Sequence, residues 1–247
     1  MFKKIITIVL LGVMMATLMS VILGCEDIDS KTANAIQDKL AEKYGESFTV
    51  TSLGDRIGYD TVTAYVYADN DPSMRFTAKL DKNLELVFDD YSYRLVCRKT
   101  DKLVESIFSQ LGLDVCSYCT YEYMDNSLGL TITPSDYIDA TSSTYLSLGI
   151  CVKDGNGVTG EQLLDGIFTL REQLGDILIG TGVYVLSIED YNTVHDKIVL
   201  DTELFGLTRL NLHGAKDQIR NVIIRCTADG SSLTIDQIDE ALNKGAE

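Results

Sequence analysis

The sequence predicts an α+β protein in which a helix-covered antiparallel β-meander is followed by a second unit with the element order β-α-β-β-α. Three observations lead to this class. Short runs of strand-forming residues, separated by turn residues, follow one another between residues 48 and 88. Apolar stripes with helical spacing flank those runs. After residue 113, longer apolar runs are interrupted by two helical patterns that begin with capping boxes. We therefore place an N-terminal α+β unit at residues 32–112 and a C-terminal α/β unit at 113–247.

The first unit begins with a helix over residues 32–44, which ends before Gly45. Its apolar stripe consists of Ala33, Ile36, Leu40 and Tyr44. Four strand-like runs follow, FTVTS (48–52), TVTAYVY (61–67), MRFTAKL (74–80) and NLELVF (83–88). Turn residues separate them, so the runs predict an antiparallel meander with one face in need of a cover. A second helical pattern that ends at Leu111 is expected to share this role with the first helix. The arrangement resembles the cystatin-like and PepSY-like units of exported bacterial proteins.

The second unit is predicted from five strand-like runs and two helices. The runs are VCSYCTYEY (115–123), LGLTIT (128–133), YLSLGICV (145–152), VYVLSIE (183–189) and IRNVIIRCT (219–227), with a loop over 134–143. Capping boxes, Thr159 with Gln162 and Thr234 with Gln237, start the two helices, and Gly175 ends the first of them. This order is similar to most of a ferredoxin-like unit. The stretch 191–216 is compatible with an extra hairpin.

The N-terminus carries the most specific motif in the chain. Lys3 and Lys4 precede an uncharged run from Ile5 to Leu23, long enough at ~1.5 Å per residue to approach the thickness of a bilayer. Its end, Ile22-Leu23-Gly24-Cys25, resembles the bacterial lipobox. The resemblance implies that residues 1–24 are a cleaved signal peptide and that Cys25 carries diacylglycerol, with fatty acids such as palmitate. The alternative is an uncleaved membrane helix.

Both interpretations predict an exported protein at the extracytoplasmic face of the cell membrane. In the lipoprotein interpretation, residues 25–31 form a short tether between lipidated Cys25 and the folded part. The net charge of the chain is −16, and the signal segment contains none of the acidic residues. Such a charge repels the phosphates of nucleic acids and of anionic lipids. We therefore expect no nucleic-acid partner and no flat contact with the membrane.

Two sequence motifs suggest cofactor or redox chemistry. GNGVTG (155–160) has the glycine spacing of a dinucleotide-binding loop, but the acidic residues Glu189 and Asp190 lie too far downstream, so we expect no cofactor. Cys116 and Cys119 form a C-x-x-C motif within a strand-like run. Residues three apart on a strand point to opposite faces, which argues against a shared disulfide or zinc ion.

The other polar residues do not form a recognisable catalytic set. Cys97, Cys151 and Cys226 lie in apolar runs and are predicted to be core residues, the last two on neighbouring antiparallel strands. The histidines, His195 and His213, are too few for a typical histidine metal site, so no metal is expected. The acidic pairs, Asp89 with Asp90 and Asp69 with Asp71, lie beside turns and are predicted to be solvated. We predict no catalytic residue.

These observations predict a surface lipoprotein that acts as a non-catalytic binding or adaptor module for an unknown protein, peptide or glycan. Tyr121 and Tyr123 are candidate exposed aromatic binding residues. Two alternatives remain open. One is an extracytoplasmic enzyme, either a carboxylate-based hydrolase or a thiol-redox protein that uses Cys116 and Cys119. The other is a structural partner of an envelope complex.

Overall fold

A computed structural model of the protein describes residues 29–54, 60–154, 157–200, 220–227 and 229–243. The chain divides into unit 1, Met1–Asn70 with Thr77–Asp89, and unit 2, Asp71–Phe76 with Asp90–Glu247. The predicted signal peptide, Cys25 and His213 lie outside the described residues. Within the described ranges, no helix is both long enough and apolar enough to cross a membrane.

Unit 1 contains the predicted helix and the predicted meander, except that Asp71–Phe76 of its third strand is assigned to unit 2. Helix α1 occupies residues 29–44, and Gly45 follows it with a positive φ of 71°, as its C′ position requires. The sheet has the sequential order β1-β2-β3-β4, in which β1/β2 and β3/β4 are antiparallel. The strands are β1 Phe48–Leu53, β2 Thr61–Ala68, β3 Asp71–Asp81 and β4 Leu86–Asp89. The alternation of buried and half-buried residues along β2 agrees with a sheet covered on one face.

A buried carboxylate joins α1 to the end of β4. Asp89 accepts hydrogen bonds from Lys43 Nζ at 2.8 Å and from the Tyr44 hydroxyl at 2.6 Å. Burial, together with the hydrogen bond to Asp89, raises the pKa of Tyr44 to about 12. In unit 2, Asp90 is also buried and accepts a hydrogen bond from Arg94 Nε at 3.1 Å. The prediction that Asp89 and Asp90 are solvated loop acids is therefore wrong, because each has a cationic partner that compensates for its burial.

Helix α2, Tyr91–Gln110, lies in unit 2, where it packs on strand β5, Val115–Tyr121, and on helix α4, Gly160–Leu174. The sequence places this helix in a first unit that ends at residue 112, whereas the structural division follows Asp89. The physical reason is the apolar stripe of α2. Val104 and Phe108 belong to the main hydrophobic core of unit 2.

The sheet of unit 2 has the sequential order β5-β6-β7-β8-β9. Its other strands are β6 Tyr145–Lys153, β7 Leu178–Leu186, β8 Arg220–Thr227 and β9 Gly230–Ser231. Strands β6 and β7 are parallel and adjacent, and the remaining pairs are antiparallel. The α+β class is thus confirmed. A ferredoxin-like unit has a split β-α-β connection, whereas α4 here joins the adjacent strands β6 and β7. Strand β7 lies between Cys151 on β6 and Cys226 on β8, so these two cysteines are not on neighbouring strands as predicted.

One predicted strand is replaced by other elements, and another ends earlier than predicted. LGLTIT forms turns and bends, and helix α3, Pro134–Thr141, occupies the predicted loop with Thr133 as its N-cap and Pro134 in its first turn. The run VYVLSIE is the end of β7, and helix α5, Ile188–Leu200, follows directly. Residues 191–200 are therefore helical and not part of a hairpin, while 201–219 lie outside the described residues.

The two faces of this sheet are covered unequally. Alternate residues of β5 to β8 pack with α2, α3, α4 and helix α6, Ile235–Asn243, into the main core. On the opposite face, α5 covers a small cluster. That cluster consists of Cys116, Cys151, Leu186, Tyr191 and Val194, with Tyr184 packed against it.

The predicted capping boxes are present, and both helices begin as expected. Thr159 accepts a hydrogen bond from the backbone N–H of Gln162, and Gln162 Oε1 accepts one from the backbone N–H of Thr159. Thr234 and Gln237 make the same reciprocal pair before α6. These caps satisfy backbone donors that the first turn of each helix leaves without partners.

Helix α2 also reaches the outer edge of β5. The Tyr93 hydroxyl accepts a hydrogen bond from the backbone N–H of Tyr121 at 3.1 Å and donates one to its carbonyl at 3.4 Å. The Tyr121 hydroxyl in turn shares a hydrogen bond with Thr100 Oγ1 at 2.6 Å. One helix therefore satisfies both the backbone and the side chain of Tyr121.

Candidate functional site

A cleft of about 570 Å³ lies in unit 2, where the C-terminal half of α2, the connection into β5 and the first turns of α5 meet. Three parts of the sequence supply its walls. The turn at Gly112, which has a positive φ of 78°, brings two of them together because it returns the chain from α2 to β5. The lining residues are Glu105, Ser109, Gly112, Leu113, Asp114, Val115, Tyr191 and His195.

Glu105 is a carboxyl group in the cleft whose ionisation is perturbed by its surroundings. Burial raises the pKa of its carboxyl, and the neighbouring Arg98, His195 and Lys102 side chains oppose that rise. The side chain is half-buried and, among the described residues, has no hydrogen-bond partner. A carboxylate in this state gains from any donor that a ligand brings.

The opposite wall is held by a hydrogen-bonded set around Asp114. Its carboxylate accepts hydrogen bonds from the Tyr191 hydroxyl at 3.2 Å and from Lys153 Nζ at 3.0 Å. The Lys153 ammonium also lies 5.5 Å from the centre of the Tyr191 ring. Tyr191 and His195 are stacked with their ring centres 5.9 Å apart. The wall therefore presents two aromatic rings and the Asp114 carboxylate, whose negative charge is paired with Lys153.

A second concave surface lies on the less covered face of the sheet. Tyr145, Gly180, Tyr184 and Arg225 line a groove of about 140 Å³ with Ile223. A Cβ atom on Gly180 would lie 2.2 Å from the Tyr145 hydroxyl, so the glycine allows the ring to lie across the strand. This groove is smaller than the cleft. The sequence suggests an exposed aromatic surface at Tyr121 and Tyr123, whereas the tyrosines of this groove are Tyr145 and Tyr184.

The predicted binding tyrosines are not together on the surface. Tyr121 is only 5% exposed and belongs to the main core, so its prediction as a binding residue is wrong. The alternation along β5 explains this, because Tyr121 lies on the same face as Cys119, towards α2. Tyr123 follows the strand and is 51% exposed.

The other predicted positions are distributed over the unit. Cys116 faces α5 and Cys119 faces the main core, so a thiol-redox site built on these two residues is excluded by geometry, as strand alternation predicts. His195 lies in the cleft, although the sequence assigns it no role. Glu105, Asp114 and Tyr191 were missed as site residues. Asp114 and Tyr191 lie next to the ends of predicted elements, whereas Glu105 lies inside a predicted helix and no sequence signal identifies it.

The glycine-rich motif leads into a helix whose first turn is already occupied. Gly160 N–H donates to Asp239 Oδ1 of α6 at 2.5 Å, and a Cβ at Gly160 would lie 2.7 Å from the Ile235 carbonyl. The last glycine of the motif therefore serves the packing of α4 against α6. Residues 155 and 156 lie outside the described residues. In the described part of the chain, no three His, Cys, Asp or Glu side chains are grouped as metal ligands.

Comparison with known proteins gives one structural likeness. No protein-family model matches the chain, and no curated protein matches it significantly. The crystal structure of a DUF5037 family protein from Ruminococcus gnavus ATCC 29149 is similar, with a TM-score of 0.66 and 18% sequence identity. The match covers 85% of this chain and 98% of that chain. At this identity the likeness shows a shared fold alone.

Proposed function

We propose that the protein is a lipoprotein, held at the outer face of a bacterial membrane through diacylglycerol on Cys25, and that unit 2 is its non-catalytic binding module. The observation that supports a binding role is the cleft between α2, β5 and α5. It combines a half-buried carboxylate that lacks a hydrogen-bond partner among the described residues with a wall of two aromatic rings. Ligand sites commonly combine a concave surface with a few such polar groups.

The chemistry of the cleft favours a ligand with an ammonium group. Glu105 offers an acceptor without a competing donor in the described structure, whereas Asp114 is already compensated by Lys153. An ammonium group close to Glu105 would form a charge-assisted hydrogen bond, and the Tyr191 and His195 rings offer apolar contact. A lysine-containing peptide and an amino-sugar oligomer both provide this chemistry.

Binding is therefore expected to depend on the charge of Glu105. In isothermal titration calorimetry at low salt, glucosamine oligomers or lysine-rich peptides should bind more tightly than their N-acetylated forms. Glu105→Gln should weaken the binding by about 10- to 100-fold, the cost of one hydrogen bond to a charged group. Since burial raises the pKa of Glu105, affinity should also increase as the pH rises through that pKa and the carboxyl ionises.

Glu172→Gln is the matched control, because Glu172 is exposed on α4 and the substitution makes the same change in charge. It should leave affinity unchanged. Comparison of the two ligand series identifies the class of ligand. Equal affinity for the free and acetylated forms, or equal loss in both glutamine variants, would contradict a site at Glu105.

A carboxylate-based hydrolase is the second candidate, and one observation favours it. Two carboxyl groups line the same cleft, and burial raises the pKa of Glu105, which is the condition for a general acid. If this is the function, Glu105→Gln should abolish turnover of a chromogenic glycoside panel while the thermal melting temperature stays unchanged. Absence of turnover in the wild type, with binding intact, supports the binding module.

The anchor is tested separately. Cys25→Ser should leave an unprocessed precursor that is still held by its apolar run, because lipid modification of the cysteine precedes cleavage in lipobox proteins. Metabolic labelling with an alkyne fatty acid, followed by gel analysis, should mark the wild type only. Equal labelling of both proteins would support the uncleaved membrane helix.

A further inference from the structure

Two cysteines face each other across neighbouring strands beneath α5. Cys116 on β5 and Cys151 on β6 are direct partners in the antiparallel register, which is regular along the whole pair. Both side chains are buried, with 2% and 0% exposure, and both belong to the small cluster that α5 covers. The two thiols are therefore held together by the sheet itself.

The spacing of this pair follows from the hydrogen-bond pattern. The N–H of Lys153 donates to the carbonyl of Asp114 at 2.9 Å, two residues along the strands from the cysteine pair. Hydrogen-bonded pairs recur at every second position, so Cys116 and Cys151 also form one, with a Cα separation of about 5.5 Å. A disulfide accepts Cα separations of about 4.4–6.8 Å. The Cα separation therefore suits the bond, whereas the Cβ atoms of such a pair, about 5.5 Å apart, must approach by about 1 Å to reach the roughly 3.5–4.5 Å of a disulfide.

The surroundings of the pair support contact between the thiols. The hydrogen bond with Cys151, together with burial, raises the pKa of Cys116. Cys116 also packs in the same small cluster as Tyr191, which belongs to the wall of the cleft. The covering cluster is small compared with the main core, and elements with few buried apolar contacts open most readily.

We propose that Cys116 and Cys151 are a redox pair that forms a cross-strand disulfide beneath α5. The oxidant is another disulfide. The Cys116 thiolate attacks one of its sulfur atoms, which releases the first thiolate and leaves a mixed disulfide. The Cys151 thiolate then attacks Cys116 Sγ and releases the second thiolate. Two electrons pass to the oxidant, and the two protons lost by the cysteines are taken up by the two released thiolates, which become thiols. Oxidation would also remove a thiol from the cluster that contains Tyr191, so the pair is linked to the cleft.

The test uses the full chain in detergent with Cys25→Ala, so that the five buried cysteines are its remaining thiols. The protein is unfolded in urea and refolded in buffers with a graded ratio of reduced to oxidised glutathione, so burial cannot prevent reaction. After acid quenching, free thiols are alkylated under denaturing conditions and the peptides are analysed by mass spectrometry. The number of free thiols should fall from five to three, and the cross-linked peptide should join Cys116 to Cys151.

Two single variants make the result specific. Cys116→Ser should keep its four remaining thiols at every glutathione ratio. Cys226→Ser removes a buried cysteine of the main core and should still lose two thiols to the same cross-link. Five free thiols in the parent protein at every ratio would overturn the proposal. So would a link between Cys97 and Cys119, where the Cys119 thiol donates to the Cys97 carbonyl at 3.3 Å.

Discussion

Replacement of Phe108 by alanine is expected to destabilise unit 2 by about 3–5 kcal/mol, the range for loss of a fully buried phenylalanine ring. Phe108 has no exposed surface and belongs to the main core. Its ring contacts α4 at Gly166, where a Cβ atom would lie 2.5 Å from Phe108 Cζ. The glycine is thus what allows the ring to approach the helix backbone. Urea unfolding followed by circular dichroism measures the loss.

The same contact provides an internal control. Gly166→Ala alone should cost about 1–3 kcal/mol through overpacking against the ring. In the Phe108→Ala background the added methyl group meets no ring, and alanine is the better helix former by about 1 kcal/mol, so the substitution should become neutral or stabilising. Ile223→Ala, at a position that is 61% exposed, should have little effect. An equal cost of Gly166→Ala in both backgrounds would show that the ring does not limit this position.

Replacement of Asp101 by asparagine is expected to stabilise the protein at neutral pH. Asp101 lies on α2, is 5% exposed, and accepts a hydrogen bond from Ser117 Oγ at 3.1 Å. Burial raises the pKa of its carboxyl well above the usual value, while Ser117 and the positive charge of Arg98 oppose that shift. Asparagine keeps an acceptor for Ser117 and is neutral at every pH, so folding no longer has to hold a proton on a buried carboxyl.

The direction of the pH dependence follows from linkage. Below pH 4, near the pKa of Asp101 in the unfolded chain (about 4), the carboxyl is protonated in both the folded and the unfolded protein and does not oppose folding. Above it, the unfolded state releases a proton that the folded state retains. The stability of the wild type should therefore fall relative to Asp101→Asn, by about 1.4 kcal/mol for each pH unit, until the folded pKa is passed.

Melting temperatures of both proteins between pH 4 and pH 8 measure this difference. The two curves should meet near pH 4 and separate as the pH rises. Asp165→Asn, an exposed substitution of the same kind on α4, should run parallel to the wild type. A constant difference between wild type and Asp101→Asn at every pH would mean that Asp101 is ionised in the folded protein.

Local signals in the sequence predicted the elements that carry them. The capping boxes at Thr159 and Thr234 start helices as expected, and the alternation along residues 74–80 lies within β3. The errors arise where a local pattern is ambiguous. A short apolar run such as LGLTIT satisfies strand propensity, but tertiary packing places it in turns before α3. The division after Asp89 depends on which sheet the stripe of α2 packs against, and no local pattern contains that information.

The candidate cleft was less predictable than the fold. Glu105, Asp114 and Tyr191 are far apart in the sequence, and none belongs to a motif. They meet because α5 returns over the β5–β6 end of the sheet, a contact between distant parts of the chain. His195 was visible as one of only two histidines, but its neighbours could not be identified from the sequence. Conversely, whether Tyr121 is exposed or buried depends on which face of β5 packs against α2.

The two hydrogen bonds between the Tyr93 hydroxyl and the backbone of Tyr121 have a consequence for self-association. An outer strand with free N–H and C=O groups can accept a strand from another chain, and many proteins aggregate by this route. At Tyr121 both groups are already engaged by a side chain, and at the opposite end of the sheet β9 has only two residues. Strand addition from another chain is therefore limited at Tyr121 and at β9.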